Sequence, residues 1–201
     1  MRLYSATTNP GKLREFRLAV ERFGGGAIEL LPLEGMAAIP ACEETGATFE
    51  ENAADKARYY SLHSPGLLFV DDSGLEVRAL GGEPGVRSAR YAGEGAGDKA
   101  NNRLLVARLA EKEDRAARFV CVVALAEGGR LVGTFRGEVE GRIVVEERGS
   151  NGFGYDPLFF YPPFDCTFGE ASPERKLEVS HRARAFERMV RWLLRAGEAK
   201  P

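Results

Sequence analysis

The feature that most constrains the fold is an apolar run that ends in acidic residues. Leu67-Leu68-Phe69-Val70 is followed directly by Asp71-Asp72-Ser73-Gly74. Consecutive apolar residues indicate a strand that is covered on both faces, as in the parallel or mixed sheets of α/β proteins. Ligands bind at the carboxyl ends of such strands. We therefore predict that the strand stops at Asp71 and that a functional site begins there.

Local signals predict the other elements. Asn9 as N-cap with Pro10 after it marks one helix start, and Thr48 with Glu51 forms a capping box at another. The predicted strands are 3–7, 28–31, 67–70, 119–126, 130–139 and 143–146, and the predicted helices are 10–23, 49–63, 98–113 and 180–196, with a helical turn from 172 and a stop at Gly197. Strands that first alternate with helices and later pair with one another indicate an α/β fold with a mixed sheet.

Charge and composition exclude several classes of protein. Lys and Arg number 28 against 30 Asp and Glu, so the net charge of −2 gives no positive field for nucleic acid or an anionic membrane. No apolar run is long enough to span a bilayer. The 3 cysteines are far apart, which argues against a disulfide framework and favours a reducing compartment. We expect a cytoplasmic protein that binds neither nucleic acid nor membranes.

Several common catalytic motifs are missing. Gly11-Lys12 does not complete a Walker A motif, because Ala6 stands where Gly is needed and Leu13 where Ser or Thr is needed. His63 and His181 are too few for a three-histidine zinc site. Dinucleotide, nucleophile-elbow and zincin motifs are also absent from the sequence.

Two segments suit phosphate and metal chemistry. Thr7-Thr8-Asn9-Pro10-Gly11-Lys12 places helix N-terminal amides beside an ammonium group, which favours a phosphate; a capped helix with a solvated lysine is the alternative. The adjacent carboxylates of Asp71 and Asp72 suit Mg²⁺, and Glu43-Glu44 offers a further carboxylate. An Asx-type turn that closes the strand, and a solvated pair of glutamates, are the alternatives.

Helical wheels place two cations on apolar faces. Lys56 lies on the inward stripe of the helix 49–63, so it needs an anionic partner unless its ammonium reaches the surface. Arg182 lies on the apolar side at the start of the last helix, next to His181, and suits either a ligand or a structural ion pair. The opposite stripe of that helix contains Arg184, Arg188, Arg191 and Arg195. Its simplest interpretation is a face exposed to solvent.

A glycine-rich loop suits a purine. Glycines on both sides of Phe153 leave its ring face open for stacking, and Asp156 can accept a hydrogen bond from a base N–H. A glycine-rich loop that only packs two aromatic side chains is the alternative.

Taken in order, these segments resemble the inosine triphosphate pyrophosphatase (Ham1-like) family from Leu3 to about Leu194. The resemblance is carried by Thr7 to Lys12, Glu44-Thr45-Gly46, Glu51-Asn52, Lys56-Ala57, Asp71-Asp72-Ser73-Gly74-Leu75, Gly81-Gly82-Glu83-Pro84-Gly85-Val86, Ser88-Ala89-Arg90-Tyr91, Gly152-Phe153-Gly154-Tyr155-Asp156-Pro157, Lys176 and Ser180-His181-Arg182. It implies one domain over residues 1–201 with no separable linker, an elongated mixed sheet with flanking helices, and two lobes around a central substrate cleft. It also implies a homodimer that uses Mg²⁺ to hydrolyse ITP, dITP and XTP to the monophosphate and pyrophosphate, which cleanses the nucleotide pool.

The resemblance also assigns roles to residues. It implies that Asp72 is the proton acceptor and that Lys56 and Lys12 are further catalytic groups. It also implies that Glu44 and Asp72 bind the metal. The residues that it assigns to substrate are Thr7, Thr8, Asn9, Pro10, Gly11 and Lys12 for the triphosphate, Ser73, and, for the base and sugar, Phe153, Gly154, Tyr155, Asp156, Lys176, His181 and Arg182.

Two other functions compete with this interpretation. One is a Maf-type pyrophosphatase of other modified nucleotides, against which the Phe153 to Asp156 segment and the Ser180-His181-Arg182 group argue. An RNA- or protein-binding module that uses the arginine stripe conflicts with the net charge of −2 and with the inward Lys56.

Overall fold

The computed structural model describes residues 1–198, with side chains to residue 195. The helices are α1 (Pro10–Phe23), α2 (Phe49–Ser61), α3 (Asp98–Arg108), α4 (Pro173–Leu177) and α5 (His181–Glu198). The strands are β1 (Arg2–Ser5), β2 (Glu29–Pro32), β3 (Leu68–Val77), β4 (Ala116–Glu127), β5 (Arg130–Ile143), β6 (Phe159–Tyr161) and β7 (Cys166–Thr167). Within the described residues, no helix is both long and apolar enough to cross a membrane.

The strands form one seven-stranded sheet in the order β2-β1-β3-β4-β5-β6-β7. β1 runs parallel to β2 and β3, with Tyr4 opposite Leu31 and Leu68, whereas β6 is antiparallel to β5 and β7. The predicted α/β fold with a mixed sheet is therefore confirmed. β3 lies between two strands, and Leu68, Phe69 and Val70 are buried, as the apolar run predicts.

Contacts along the chain define two compact units, and β3, β4 and β5 each contribute residues to both. The first unit contains residues 1–72, 121–137 and the chain from 181, and the second contains 73–120 and 138–180. In the first unit, the rings of Phe16 in α1, Phe69 in β3 and Phe186 in α5 pack with centroids 4.9 to 5.4 Å apart. These rings place α1 and α5 on the same face of β3. The prediction of one domain over 1–201 stays a prediction.

Capping explains where the first two long helices begin. Asn9 Oδ1 accepts the backbone N–H of Lys12 at 3.0 Å, and Pro10 fills the first turn of α1. The Thr48 hydroxyl accepts the Glu51 N–H while the Glu51 carboxylate accepts the Thr48 N–H, which completes the predicted capping box of α2. Both predicted helix starts are confirmed.

Some predicted boundaries are wrong. β3 continues through Asp71 to Val77, because both aspartates have cationic partners and the apolar pattern resumes at Leu75. The strand predicted over 143–146 is absent beyond Ile143, where Val145 is exposed. β1 ends at Ser5, α3 ends at Arg108, and α5 passes through Gly197 to Glu198.

Candidate active site

The residues predicted to bind the triphosphate form the turn from β1 to α1. Thr7 Oγ1 accepts the Asn9 N–H at 3.3 Å, and Gly11 follows Pro10 in the first turn of the helix. Thr8, Asn9 and Pro10 are exposed, so the helix N-terminus, which favours an anion, is open to solvent. The phosphate-binding role of these residues stays a prediction.

Asp71 and Asp72 lie on opposite faces of β3. Successive side chains of a strand alternate between its faces. Asp71 shares a face with Phe69, against which α1 and α5 pack, whereas Asp72 contacts α2. The expectation that the two carboxylates form one adjacent pair is wrong, because the strand passes through both residues instead of turning at Asp71.

On the α2 side, two carboxylates share one ammonium group; we call Glu44, Lys56 and Asp72 the α2-face cluster. Lys56 Nζ lies 2.8 Å from Glu44 Oε1 and 2.7 Å from Asp72 Oδ1, and the Lys56 side chain is 13% exposed. The inward position of Lys56 and its need for an anionic partner are therefore confirmed. Because two carboxylates face one ammonium, the cluster has an excess of negative charge.

The pKa values of Lys56 and Asp72 both lie above their ordinary values, for different reasons. Burial disfavours the charged form of Lys56, but the carboxylates of Asp72 and Glu44 outweigh burial and hold the pKa of Lys56 above its ordinary value. Burial raises the pKa of Asp72 above that of an ordinary aspartate, although the nearby Lys56 ammonium opposes the rise. Further positive charge near Asp72 would therefore favour its ionised form.

The α2-face cluster contains carboxylates, which are the ligands that a hard divalent cation prefers. Mg²⁺ usually takes one or two carboxylates and keeps its other positions for water and phosphate oxygens. Glu44 and Asp72 supply two carboxylates at one point. Among residues 1–198 there is no group of three or more His, Cys, Asp or Glu arranged to hold a metal by themselves. Glu43 is exposed beside the cluster.

On the other face of β3, the charges are balanced; we call Lys12, Glu15, Asp71 and Arg182 the α1-face cluster. Asp71 Oδ2 lies 2.9 Å from Lys12 Nζ and 3.7 Å from Arg182 Nε, and Arg182 Nη1 donates to Glu15 Oε2 at 2.5 Å. The Asp71 and Arg182 side chains are only 1% and 4% exposed. Burial disfavours the charge of Arg182, but Glu15 and Asp71 hold its pKa above the ordinary value.

In the second unit, the glycine-rich loop is built around a buried ion pair. Lys176 Nζ lies 2.5 Å from Asp156 Oδ2, and the same oxygen accepts the backbone N–H of Phe153 at 2.8 Å. The Lys176 ammonium is 5.2 Å from the centre of the Phe153 ring. Gly152 has a φ of +73°, and a Cβ atom there would lie 2.0 Å from the Asp156 carboxylate, so only glycine fits. The loop therefore holds a half-buried aromatic ring next to a cation.

The remaining predicted residues are distributed as follows. Ser73 is half-buried on β3, and Tyr155 is buried with its hydroxyl donating to the carbonyl of Ser88 at 2.8 Å. His181 is buried at the start of α5. The arginines of the stripe on α5 are all exposed, as a solvated face requires: Arg184, Arg188, Arg191 and Arg195.

Sequence reasoning missed residues that hold these groups in place. Asn52 is buried; its Nδ2 is 3.4 Å from Asp72 Oδ2, and its Oδ1 accepts the Gly46 N–H at 2.9 Å. It lies four residues before Lys56, on the same face of α2, so the helical periodicity of residues 49–63 could have identified it. Glu15 lies three residues after Lys12 and was missed because its partner, Arg182, is distant in sequence.

Comparison with known proteins identifies the family. A model of the Ham1 family matches residues 3–192. The chain belongs to the Ham1 family. The resemblance inferred from the sequence motifs is thereby confirmed.

Relatives of this Ham1-family chain match it over nearly its full length. The dITP/XTP pyrophosphatase of Acidobacterium capsulatum is 50% identical and covers 92% of this chain and 94% of its own. That of Desulfotalea psychrophila is 45% identical and covers 98% and 90%. The solved structure of the Staphylococcus aureus Ham1 protein is 38% identical, covers 98% of this chain and 100% of its own, and superposes with a TM-score of 0.84.

Proposed function

We propose that this chain hydrolyses the non-standard purine nucleoside triphosphates ITP, dITP and XTP to the nucleoside monophosphate and pyrophosphate. Relatives that are 45% to 50% identical over more than nine-tenths of this chain are dITP/XTP pyrophosphatases, which supports the proposal. The observation that carries it is the α2-face cluster, in which the Lys56 ammonium lies 2.8 Å from one carboxylate and 2.7 Å from another. Such a group combines a base with a charge stabiliser, as phosphoanhydride hydrolysis requires.

Asp72 is assigned as the base. Its ionised carboxylate orients a water molecule and takes a proton from it as the oxygen attacks a phosphorus atom of the triphosphate in line with the leaving group. Burial raises the pKa of Asp72, so its carboxylate is a stronger base than that of an exposed aspartate. Asn52 supports the Asp72 carboxylate from the side of α2.

Lys56 and Lys12 are assigned to the negative charge of the phosphates. Lys56 lies in the α2-face cluster, so we assign it to the charge that develops in the transition state. Lys12 is at the start of α1, so we assign it, with residues 7–11, to the phosphates of the bound substrate.

We assign Mg²⁺ to Glu44 and Asp72, whose carboxylates both contact the Lys56 ammonium. When it is bound, this ion supplies positive charge to the phosphate oxygens.

We assign recognition of the base and sugar to the residues to which the family resemblance gives that role. The half-buried Phe153 ring is the stacking surface for a purine, and the polar side chains assigned to the base are those of Lys176, His181 and Arg182, with Ser73 as a further contact. Hypoxanthine and xanthine have an oxygen acceptor at C6 and a donor at N1, whereas adenine has the reverse. Donors that face C6 therefore reject ATP, because the mismatched base leaves buried polar groups unpaired.

We further propose that the protein is a cytoplasmic homodimer. Free thiols at Cys42, Cys121 and Cys166 suit a reducing compartment. Sedimentation of the purified protein at several concentrations tests the dimer, and a monomer at all of them would refute it.

Product analysis over a panel of nucleotides tests the function. Purified protein is incubated with Mg²⁺ and ITP, XTP, GTP or ATP, and pyrophosphate and orthophosphate are measured separately. We expect pyrophosphate from ITP and XTP, and a kcat/KM for ATP lower by about 10⁴-fold. Orthophosphate as the product would refute the proposed reaction. A kcat/KM for ATP or GTP within about tenfold of that for ITP would refute the assignment of the base-binding residues.

A further inference from the structure

The loop that carries Phe153 is attached to helix α3 at one residue, Gly154. The Gly154 N–H donates to Asp98 Oδ2 at 2.7 Å, and Asn102 Nδ2 donates to the Gly154 carbonyl at 3.2 Å. Asp98 and Asn102 are four residues apart in α3 and therefore lie on one face of that helix. Both polar groups of the Gly154 backbone are thus bound by the same helix.

The backbone of Phe153, by contrast, bonds to Asp156 within the same loop. Its N–H donates to Asp156 Oδ2 at 2.8 Å, and its carbonyl accepts the Asp156 N–H at 3.2 Å. Further along the turn, the Tyr155 hydroxyl donates to the Ser88 carbonyl at 2.8 Å and Asp156 pairs with Lys176 at 2.5 Å, which fixes that end of the turn on the second unit. At the end that carries Phe153, the bonds from Asp98 and Asn102 to Gly154 hold the turn against α3.

Asn102 destabilises the fold more than a side chain that served only packing would. It is 4% exposed, and within the described part of the chain its Oδ1 has no hydrogen-bond partner. A buried polar atom without a partner costs stability, and an apolar side chain of similar size would avoid this cost. The Nδ2 group of Asn102 bonds to Gly154 and, at 2.7 Å, to Glu147 Oε1. The benefit of the amide therefore lies in the bonds that its Nδ2 donates.

We propose that Asp98 and Asn102 are positioning residues that set base specificity by fixing the turn at Phe153. The inference rests on the proposed function, in which the Phe153 ring stacks on the purine. Discrimination between bases depends on where the ring holds the base edge relative to the groups that read it. A displacement of about 1 Å can cost about 10²-fold in rate, so a loosened turn loses discrimination while the phosphate chemistry remains intact.

The test compares alanine variants on α3 that remove different hydrogen bonds. Asp98→Ala and Asn102→Ala each remove one bond to Gly154, and exposed Asp98 is the variant that is safe for folding. Asn101→Ala is the matched control, because Asn101 is equally buried on α3 but bonds to Ala89 and Ala92. Asp98→Asn keeps an oxygen acceptor for the Gly154 N–H and serves as the conservative variant.

We measure kcat and KM for ITP and GTP at a temperature well below the melting point of each variant. For Asp98→Ala and Asn102→Ala we expect the ITP-to-GTP ratio of kcat/KM to fall about tenfold, mainly through a higher KM for ITP. Asn101→Ala and Asp98→Asn keep the ratio within about twofold of the wild type.

Two outcomes would overturn the inference. A ratio that stays within about twofold of wild type in folded Asp98→Ala would show that the bond to Asp98 does not position the base. An equal fall in Asn101→Ala would show that any damage to α3 has this effect. A wild-type protein that fails to release pyrophosphate from ITP would instead refute the proposed function, so the two failures are distinguishable.

Discussion

The two faces of β3 contain similar charged groups in different balance. On the α2 face, Glu44 and Asp72 share the single ammonium of Lys56. On the α1 face, Asp71 and Glu15 are matched by Lys12 and Arg182, and the Asp71 side chain is 1% exposed. The comparison teaches that neighbouring aspartates in one strand can have separate roles, because each role depends on the helix that covers that face of the strand.

The balance of charge separates the role of Asp72 from that of Asp71. A cluster with excess negative charge and a raised pKa at Asp72 is suited to bind a cation and to accept a proton. In the α1-face cluster, two anions pair with two cations, so we expect Asp71 mainly to hold Lys12 and Arg182 in place. We therefore expect substitutions on the two faces to differ in kind.

The largest expected effect is on turnover. Asp72→Asn removes the base and one metal ligand while keeping the shape of the side chain, so kcat for ITP should fall about 10³-fold. Asp71→Asn on the other face should lower kcat by less than about tenfold. Steady-state pyrophosphate release at saturating Mg²⁺ and ITP measures both, and near-wild-type turnover in Asp72→Asn would remove the distinction between the faces.

The two lysines extend the comparison. Lys56→Ala should lower kcat about 10²-fold with a smaller change in KM, because we assign Lys56 to charge that develops in the transition state. Lys12→Ala should mainly raise the KM for the triphosphate, by about tenfold. The same assay separates kcat from KM, and the reverse pattern would show that the roles are exchanged.

The two aspartate substitutions should affect stability in the opposite order: Asp71→Asn should destabilise the protein more than Asp72→Asn does. In Mg²⁺-free buffer, Asp71→Asn leaves Lys12 and buried Arg182 short of one anion, so the free energy of unfolding should fall by about 3 kcal/mol. Asp72→Asn should cost about 1 kcal/mol or less, because a raised pKa means that the ionised form of Asp72 is already disfavoured in the folded state. Urea unfolding monitored by circular dichroism compares them, and equal losses would contradict the account.

The smallest expected effect is on the pH profile. The ionised form of Asp72 is the base, so kcat/KM should fall as pH drops through a pKa above the ordinary aspartate value of about 3.9. A bound divalent cation competes with the proton, so the acidic limb should move down by about one pH unit from limiting to saturating Mg²⁺. If the acidic limb of the kcat/KM profile stays at the same pH at both Mg²⁺ concentrations, Asp72 is not a ligand of the metal.

Local signals made part of this structure predictable. The caps at Asn9 and Thr48 depend on side chains that bond within three residues, and they were read correctly. The inward position of Lys56 followed from helical periodicity and the cost of burying an unpaired ammonium. The family resemblance rested on several short motifs in one order, and its fold class proved correct.

The rest depends on contacts that are distant in sequence. Polar residues after an apolar run usually end a strand, but β3 continues because Lys12, Arg182 and Lys56 reach its two aspartates from three different helices. The attachment of Gly154 by Asp98 likewise joins residues far apart in the chain. No local pattern contains these partners, so the separation of the two clusters could not be predicted.

Direct measurement of metal binding tests the central claim, that the cation site lies on the α2 face of β3. Mg²⁺ is titrated calorimetrically into the wild type, Asp72→Asn and Asp71→Asn, after circular dichroism has shown that each is folded. We expect Mg²⁺ to bind the wild type and Asp71→Asn with similar affinity, and to bind Asp72→Asn at least about tenfold more weakly. Weaker binding in Asp71→Asn with affinity retained in Asp72→Asn would contradict the central claim.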